Sequence, residues 1–290
     1  MALSFARVRL FGLASVVILA AGAGITPVRA DDFAGDVPDR VWIDVGGSYN
    51  EASTDVALRG PSGIGATINF EDVFDLPGTK TTARMLGFVR ISPKRRYIDF
   101  GYVDISRRAT RTLTEDIEWG DLTYRAGGEV RTRFGTQFMY AAFRYDFLHE
   151  PKIRISGSAG LTAIRFIASV NGEAGFVDDA NGNPVTNSFE REGSAVAPVP
   201  MIGLNLDWAL TNRLVLRTYS RFFKLNLSSF NGGLNENGIH LNWYFVRHFG
   251  LGLGYDRSSL DMKELKVGNG NVLKANYTVT GIGLFANLAF

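Results

Sequence analysis

Met201-Ile202-Gly203-Leu204-Asn205-Leu206-Asp207-Trp208-Ala209-Leu210 alternates without a break. Ile202, Leu204, Leu206, Trp208 and Leu210 fall on one side of an extended chain, and Met201, Gly203, Asn205, Asp207 and Ala209 on the other. A period of two is the strand period, because successive side chains point to opposite faces. The pattern recurs in 238–246, where Ile239, Leu241, Trp243 and Phe245 oppose His240, Asn242 and Tyr244. In 249–256, Phe249, Leu251, Leu253 and Tyr255 oppose Gly250, Gly252, Gly254 and Asp256. At 281–290, Ile282, Leu284, Ala286, Leu288 and Phe290 oppose Gly281, Gly283, Phe285, Asn287 and Ala289.

The second face is the informative one. A soluble sandwich turns Thr, Lys and Glu to water there, whereas this chain repeatedly places Gly. Glycine weakens an ordinary strand, so its recurrence on one face predicts a crowded, strongly curved interior with the apolar face turned outward to lipid. No stretch of period 3.6 with caps at both ends interrupts the alternation.

Connections alternate in length. Short ones are Ser92-Pro93-Lys94-Arg95, Leu148-His149-Glu150-Pro151, Thr211-Asn212-Arg213 and Arg247-His248; long ones run over 60–80, 113–128, 171–195, 228–233 and 261–270. Short turns at one end and long loops at the other is the arrangement of outer-membrane barrels. The strands between them are 41–58, 81–92, 96–112, 129–147, 152–170, 196–210, 213–227, 234–246, 249–260 and 271–290. The expectation is therefore an all-β, antiparallel, up-and-down transmembrane barrel of ten strands with both chain ends on the short-turn side. Eight strands is the alternative if the first strand or the segment near Ala195 is misread. Bulges are expected at Asp104-Ile105 and Phe222-Phe223, where the alternation slips.

Composition agrees with this class. The 290 residues are 46% hydrophobic and 21% charged, with 33 Gly, 9 Pro and no Cys; a mean hydropathy of +0.01 leaves no room for a helical membrane bundle. Without cysteine there is neither a disulfide framework nor a thiolate metal site. Arg7 and Arg9 precede an apolar run over 10–25 that ends at Pro27 and Val28-Arg29-Ala30, the form of a cleaved secretory leader over 1–30, with the barrel domain over 31–290. Three Arg lie in the leader, so 28 of the 31 bases remain against 29 acids. A near-neutral chain with no basic stripe gives no electrostatic case for nucleic acid.

The closing segment over 277–290 resembles the last strand of bacterial outer-membrane barrels, which ends in an aromatic residue read by the assembly machinery; Leu288 and Phe290 carry that likeness, while Phe285 departs from it where many such signals have Gly. The wider chain is similar to exported proteobacterial outer-membrane β-barrels of poorly defined function, akin to the small OmpA and OmpW barrels. The segments that carry this are Ile91-Ser92-Pro93-Lys94-Arg95-Arg96-Tyr97, Ile117-Glu118-Trp119-Gly120-Asp121, Ala209-Leu210-Thr211-Asn212-Arg213 and Phe249-Gly250-Leu251-Gly252-Leu253-Gly254-Tyr255. The resemblance implies a Gram-negative outer membrane, and as partners its lipid, lipopolysaccharide and assembly machinery. It implies no cofactor.

With the greasy face outward, the lumen receives Asp44, Arg84, Arg90, Arg144, Asp146, Arg154, Asp207, Arg217, Arg221, His240 and Asp256. Turned to lipid near the midplane, such a charge costs about 2–4 kcal/mol. Inside, these residues either pair and fill the lumen as a plug or line a narrow, porin-like passage for small solutes and ions. A surface-loop interaction or adhesion barrel is a further alternative. An outer-membrane hydrolase built on His240 is the last, and it lacks a recognisable Ser/His/Asp set; the chain is expected not to be an enzyme. Asp178-Asp179-Ala180-Asn181-Gly182-Asn183 is an ordinary Asn-Gly turn rather than a Ca²⁺ loop, since Glu190 falls one place beyond the required twelfth position. Lys80, Arg107, Arg108, Arg111, Arg125, Arg131 and Arg133 lie near the outer strand ends, within reach of lipopolysaccharide phosphates. Tyr97, Tyr102, Tyr145, Phe147, Trp208, Trp243, Tyr244, Phe245, Phe249 and Phe290 are expected as an aromatic girdle beside the short turns.

Overall fold

The computed structural model describes residues 37–38, 40–59, 67–119, 122–173, 176–179, 181–184, 189–226, 230–267 and 271–290. The leader expected over 1–30 lies outside them.

Amphipathic alternation gives ten long strands: β1 (Val41–Arg59), β3 (Thr79–Ser92), β4 (Arg96–Thr112), β7 (Glu129–His149), β8 (Ile153–Gly172), β10 (Phe189–Ala209), β11 (Leu214–Asn226), β12 (Phe230–Val246), β13 (Phe249–Val267) and β14 (Asn271–Ala289). Each pairs antiparallel with the next, and β1 pairs with β14 from Trp42↔Ala289 to Arg59↔Val272, which closes the sheet into a ten-stranded barrel. Closure removes the free edges that an open sheet would expose. Eight strands is excluded.

The register is regular at Asp104-Ile105 against β7 and at Phe222-Phe223 against β12, so the bulges expected there are absent. Register shifts fall instead at Arg90/Ser92, Asp146/Leu148 and Tyr244/Val246, beside the short turns, and at Asn231/Gly232 and Met262/Leu265 near the other end. The slip in hydrophobicity at Asp104 has another cause: the outward face changes from apolar to polar there while pairing continues. For the same reason β10 starts before residue 196 and β13 runs past residue 260.

That change of polarity runs along pairing rows. Tyr49, Ile282, Tyr255 and Ile239 are consecutive cross-strand partners, and the next outward row is Glu51, Thr280, Arg257 and Asn237. On the other side of the barrel Tyr102, Met139 and Ala163 form the last apolar row, followed by Asp104, Gln137 and Arg165. Below these rows the wall is apolar and exposed, with Leu284 71% accessible. Tyr145, Phe147, Trp208, Trp243, Phe245, Phe249 and Phe290 are exposed at the short-turn end and form the expected girdle. Tyr97 and Tyr244 do not belong to it: both are buried in the lumen, because their parity in the strand is that of Asp99 and Asn242. Tyr102 sits at the opposite edge of the band.

The long connections have their own structure. Between β1 and β3 lie β2 (Thr67–Asn69), paired with β1, and the single-turn helix α1 (Phe70–Phe74), whose N-cap Asn69 accepts from the Asp72 N–H at 2.9 Å. Between β4 and β7, β5 (Ile117–Trp119) pairs with β6 (Leu122–Tyr124), and β6 pairs with β9 (Val177–Asp178) from the next long connection. This small sheet packs on the barrel end through Leu113, Tyr124, Val130, Val170 and Val177.

Candidate functional site

In the lumen, sequence parity forces chemistry together. Charged residues on inward positions of neighbouring strands have no water to face and must find one another. At the short-turn end Arg144 donates to Asp207 at 2.5 Å and to the Ser156 hydroxyl at 2.8 Å, and lies 3.4 Å from Asp146 and 4.0 Å from Asp99. Arg217 reaches the other Asp207 oxygen at 3.2 Å and stacks 4.3 Å over the Trp42 ring. Arg154 donates to the carbonyls of Val37 and Pro38 at 2.6 and 2.7 Å, which ties the incoming chain across the barrel end.

A second group lies above it. Asp256 accepts from the Tyr219 hydroxyl at 2.5 Å, pairs with Arg84 at 3.1 Å and sits 3.0 Å from His240 Nε2. The other ring nitrogen of His240 is 3.6 Å from Asp44, which takes a hydrogen bond from Asn287. Arg221 lies between the rings of Tyr140 and Tyr219, at 3.8 and 4.1 Å, with Glu236 at 3.9 Å. The structure therefore brings together ten of the eleven lumen residues read from the sequence. Arg90 is the exception; it donates to the carbonyls of Ser92 and Pro93 in its own turn.

Glycine makes the room. A Cβ on Gly254 would lie 2.8 Å from the His240 ring and 2.9 Å from the Phe285 ring. The bare inward face of β13 is thus filled by side chains of β12 and β14, with His240 and Phe285 centroids 5.3 Å apart. The Phe285 ring fills the space that Gly254 leaves open.

Toward the long loops the interior becomes apolar. Val103, Ile105, Phe134, Phe138, Ile164 and Met201 pack with Leu234, Leu260 and Tyr277 inside the barrel. Over them lies a third polar group that the sequence did not suggest. Arg107, 1% exposed, points inward, pairs with Glu71 of α1 and donates to Thr54 Oγ1 at 2.6 Å. Placing it among the outward bases was an error of parity: it shares its face with Val103 and Ile105. Arg111 is also turned away from lipid phosphates, donating to the Asp72 and Val73 carbonyls, and Arg125 is taken by Asp178. Lys80, Arg108, Arg131 and Arg133 keep the placement near the outer ends.

Asp99, Glu236, Tyr219 and Asn287 were missed as lumen residues, although each stands on the inward parity of its strand. The gaps left beside Arg217, Asp207 and His240, and beside Arg84 and Glu236, measure about 30 Å³ each, enough for one or two waters. Asp179 closes a turn with Gly182 and Asn183, its N–H donating to the Asn183 carbonyl and its carbonyl accepting from the Gly182 N–H. Asp179 accepts from the N–H groups of Asn181 and Asn183, both at 2.9 Å, and the Asn183 bonds above all hold its carboxyl below the ordinary range.

A closed antiparallel barrel with an apolar outer band and a packed, ionic interior defines the class: the fold of bacterial outer-membrane β-barrels. No family model and no curated protein matches the chain. Among solved structures, the outer-membrane protease OmpT of Escherichia coli superposes with a TM-score of 0.54 at 11% identity, over 90% of this chain and 100% of that one. OprG of Pseudomonas aeruginosa gives 0.35 at 7% identity, over 88% and 99% of the two chains, and the toluene transporter TodX of P. putida 0.34 at 8%, over 88% and 91%. The likeness to OmpT is one of fold.

Proposed function

We propose that this chain is an integral protein of a Gram-negative outer membrane with a structural, non-catalytic role, its lumen closed to solutes and its long-loop end outside. The observation that carries the reading is the filling of the lumen by three stacked layers, ionic, apolar and ionic, with gaps of about 30 Å³. Selectivity linings need a continuous wet path; Phe134, Phe138 and Tyr277 lie across it here. The narrow-pore alternative loses ground for that reason. His240 is poorly placed for hydrolysis, since it is 1% exposed and both its nitrogens face carboxylates. Kinship with the small OmpA- and OmpW-like barrels belongs to the same proposal, supported by closure, short turns and outward aromatics.

Leu288 and Phe290 are proposed as the assembly signal. In the finished barrel β14 is paired on both sides and Phe290 stacks on His248 at 4.5 Å, so the strand can be read by the assembly machinery only before closure. Outer-leaflet lipid is the other proposed partner. The test is conductance: purified, folded protein in a planar bilayer is expected to give no channel steps, and reproducible steps from the unaltered chain would overturn the closed-lumen reading.

A further inference from the structure

The outer wall above the apolar band carries a charge arrangement that the barrel does not balance. Arg108 on β4 and Arg133 on β7 are direct cross-strand partners, and both are on the outward parity. Like charges so placed, with Cβ atoms about 5 Å apart, oppose each other and destabilise the pair. Neither guanidinium has a carboxylate or hydrogen-bond partner among the described residues, and Arg133 Nε is shielded from solvent with none. Two pairing rows nearer the membrane, Arg165 on β8 stands opposite Gln137. Arg131, on the row above, is already paired with Glu129 at 3.0 Å, and Asp104 below is occupied by Ser106 and Gln137 at 2.8 Å each.

We propose that Arg108 and Arg133, with Arg165 beneath them, bind the phosphate groups of a phosphorylated glycolipid in the outer leaflet. The proposal rests on the outward orientation of the long-loop end given above. Charge complementarity selects the ligand. Guanidinium forks bind phosphate oxygens in pairs, and a phosphate between Arg108 and Arg133 converts their repulsion into two attractions. Height selects the source. Arg165 lies on the first polar row above the Tyr102, Met139 and Ala163 row, at the level of phosphates next to the acyl chains. The Arg108 and Arg133 row stands about 13 Å further along the strands, about 10 Å higher for a strand tilt of about 35–45°, beyond a glycerophospholipid headgroup but within the phosphorylated sugars of a glycolipid core. Gly135, between them, keeps the wall low: a Cβ there would lie 2.8 Å from the Ser106 hydroxyl.

The experiment is native mass spectrometry of the folded full-length chain with rough lipopolysaccharide carrying inner-core phosphates, the same glycolipid after chemical removal of its phosphates, and phosphatidylglycerol. The unaltered protein is expected to bind the phosphorylated glycolipid at least tenfold more tightly than either other lipid, a comparison that stands whether or not any variant folds. R108Q/R133Q is expected to lose that preference, while K224Q/K263Q, on the far side of the barrel, keeps it. Equal binding of all three lipids overturns the site, as does an equal loss in both double variants, which marks unspecific attraction. No preference in the unaltered protein, with silent bilayers, removes the site and leaves the closed barrel standing; channel steps from an unaltered protein that shows the preference support the site and remove the closed barrel.

Discussion

Asp207 is the residue on which the short-turn layer depends, because its two oxygens serve Arg144 and Arg217 separately. Asp207→Asn keeps the shape but leaves the buried Arg217 without its carboxylate and Arg144 with only Asp146 and Asp99, at a cost of about 3–5 kcal/mol. The expected result is a fall in the urea midpoint of the micelle-folded protein, followed by tryptophan fluorescence. Asp261→Asn is the contrast: its partner Lys263 is 3.9 Å away and largely solvated, so the change should stay below about 1 kcal/mol. Gly254→Val forces a side chain onto the rings of His240 and Phe285, an overpacking cost of about 1–3 kcal/mol read in the same titration. Ten lumen residues were legible beforehand because parity alone places an inward charge. Arg107, Tyr97 and Tyr244 were misplaced where residue type was allowed to outweigh parity, an Arg near a strand end read as lipid-facing and a Tyr near a turn read as interfacial. Asp99 shows the remedy, since it shares the inward row of Tyr97, Val103, Ile105 and Arg107 along β4.

At the scale of elements, strand number and the short turns were readable because amphipathic alternation is strongest within the apolar band, where lipid and core both select side chains. Strand ends were not. Above the band the outward face turns polar, so β10 and β13 lose their sequence contrast while their hydrogen bonding continues. α1 was hidden for a different reason: a five-residue helix has no periodicity to detect and is held by Asn69 and by Glu71 docking on Arg107. β14 offers a depth test on one face of one strand. Leu284→Arg places a charge inside the apolar band and should cost up to about 2–4 kcal/mol, whereas Thr278→Arg, beyond the Tyr49 and Ile282 row, should cost about 0–1 kcal/mol. Refolding yield into bilayers of one thickness, scored by the mobility of unboiled protein on a gel, separates the two.

For the whole molecule, the order of the layers decides how the barrel can be opened. The segment over 67–78 covers the long-loop mouth through the Glu71–Arg107 pair, with Glu71 also accepting from the Thr54 N–H at 2.9 Å, and a lid of this kind suggests a gate. The layer beneath argues otherwise. Leu76 of the lid is part of the same buried apolar cluster as Phe134, Phe138 and Tyr277, which belong to the barrel wall and not to the lid, so removing the lid exposes an apolar floor and not a channel. Replacing 67–77 by a short Gly-Ser linker should therefore increase proteolysis at the mouth but leave planar bilayers silent. Adding Phe134→Ser and Phe138→Ser to that deletion removes the floor, yet the Arg144, Asp207 and Arg217 layer still spans the short-turn end. Conductance is expected only when lid, apolar floor and Arg217 are all altered. Steps appearing at the first deletion would mean that the apolar layer does not seal the lumen, which would favour the narrow passage over the plug.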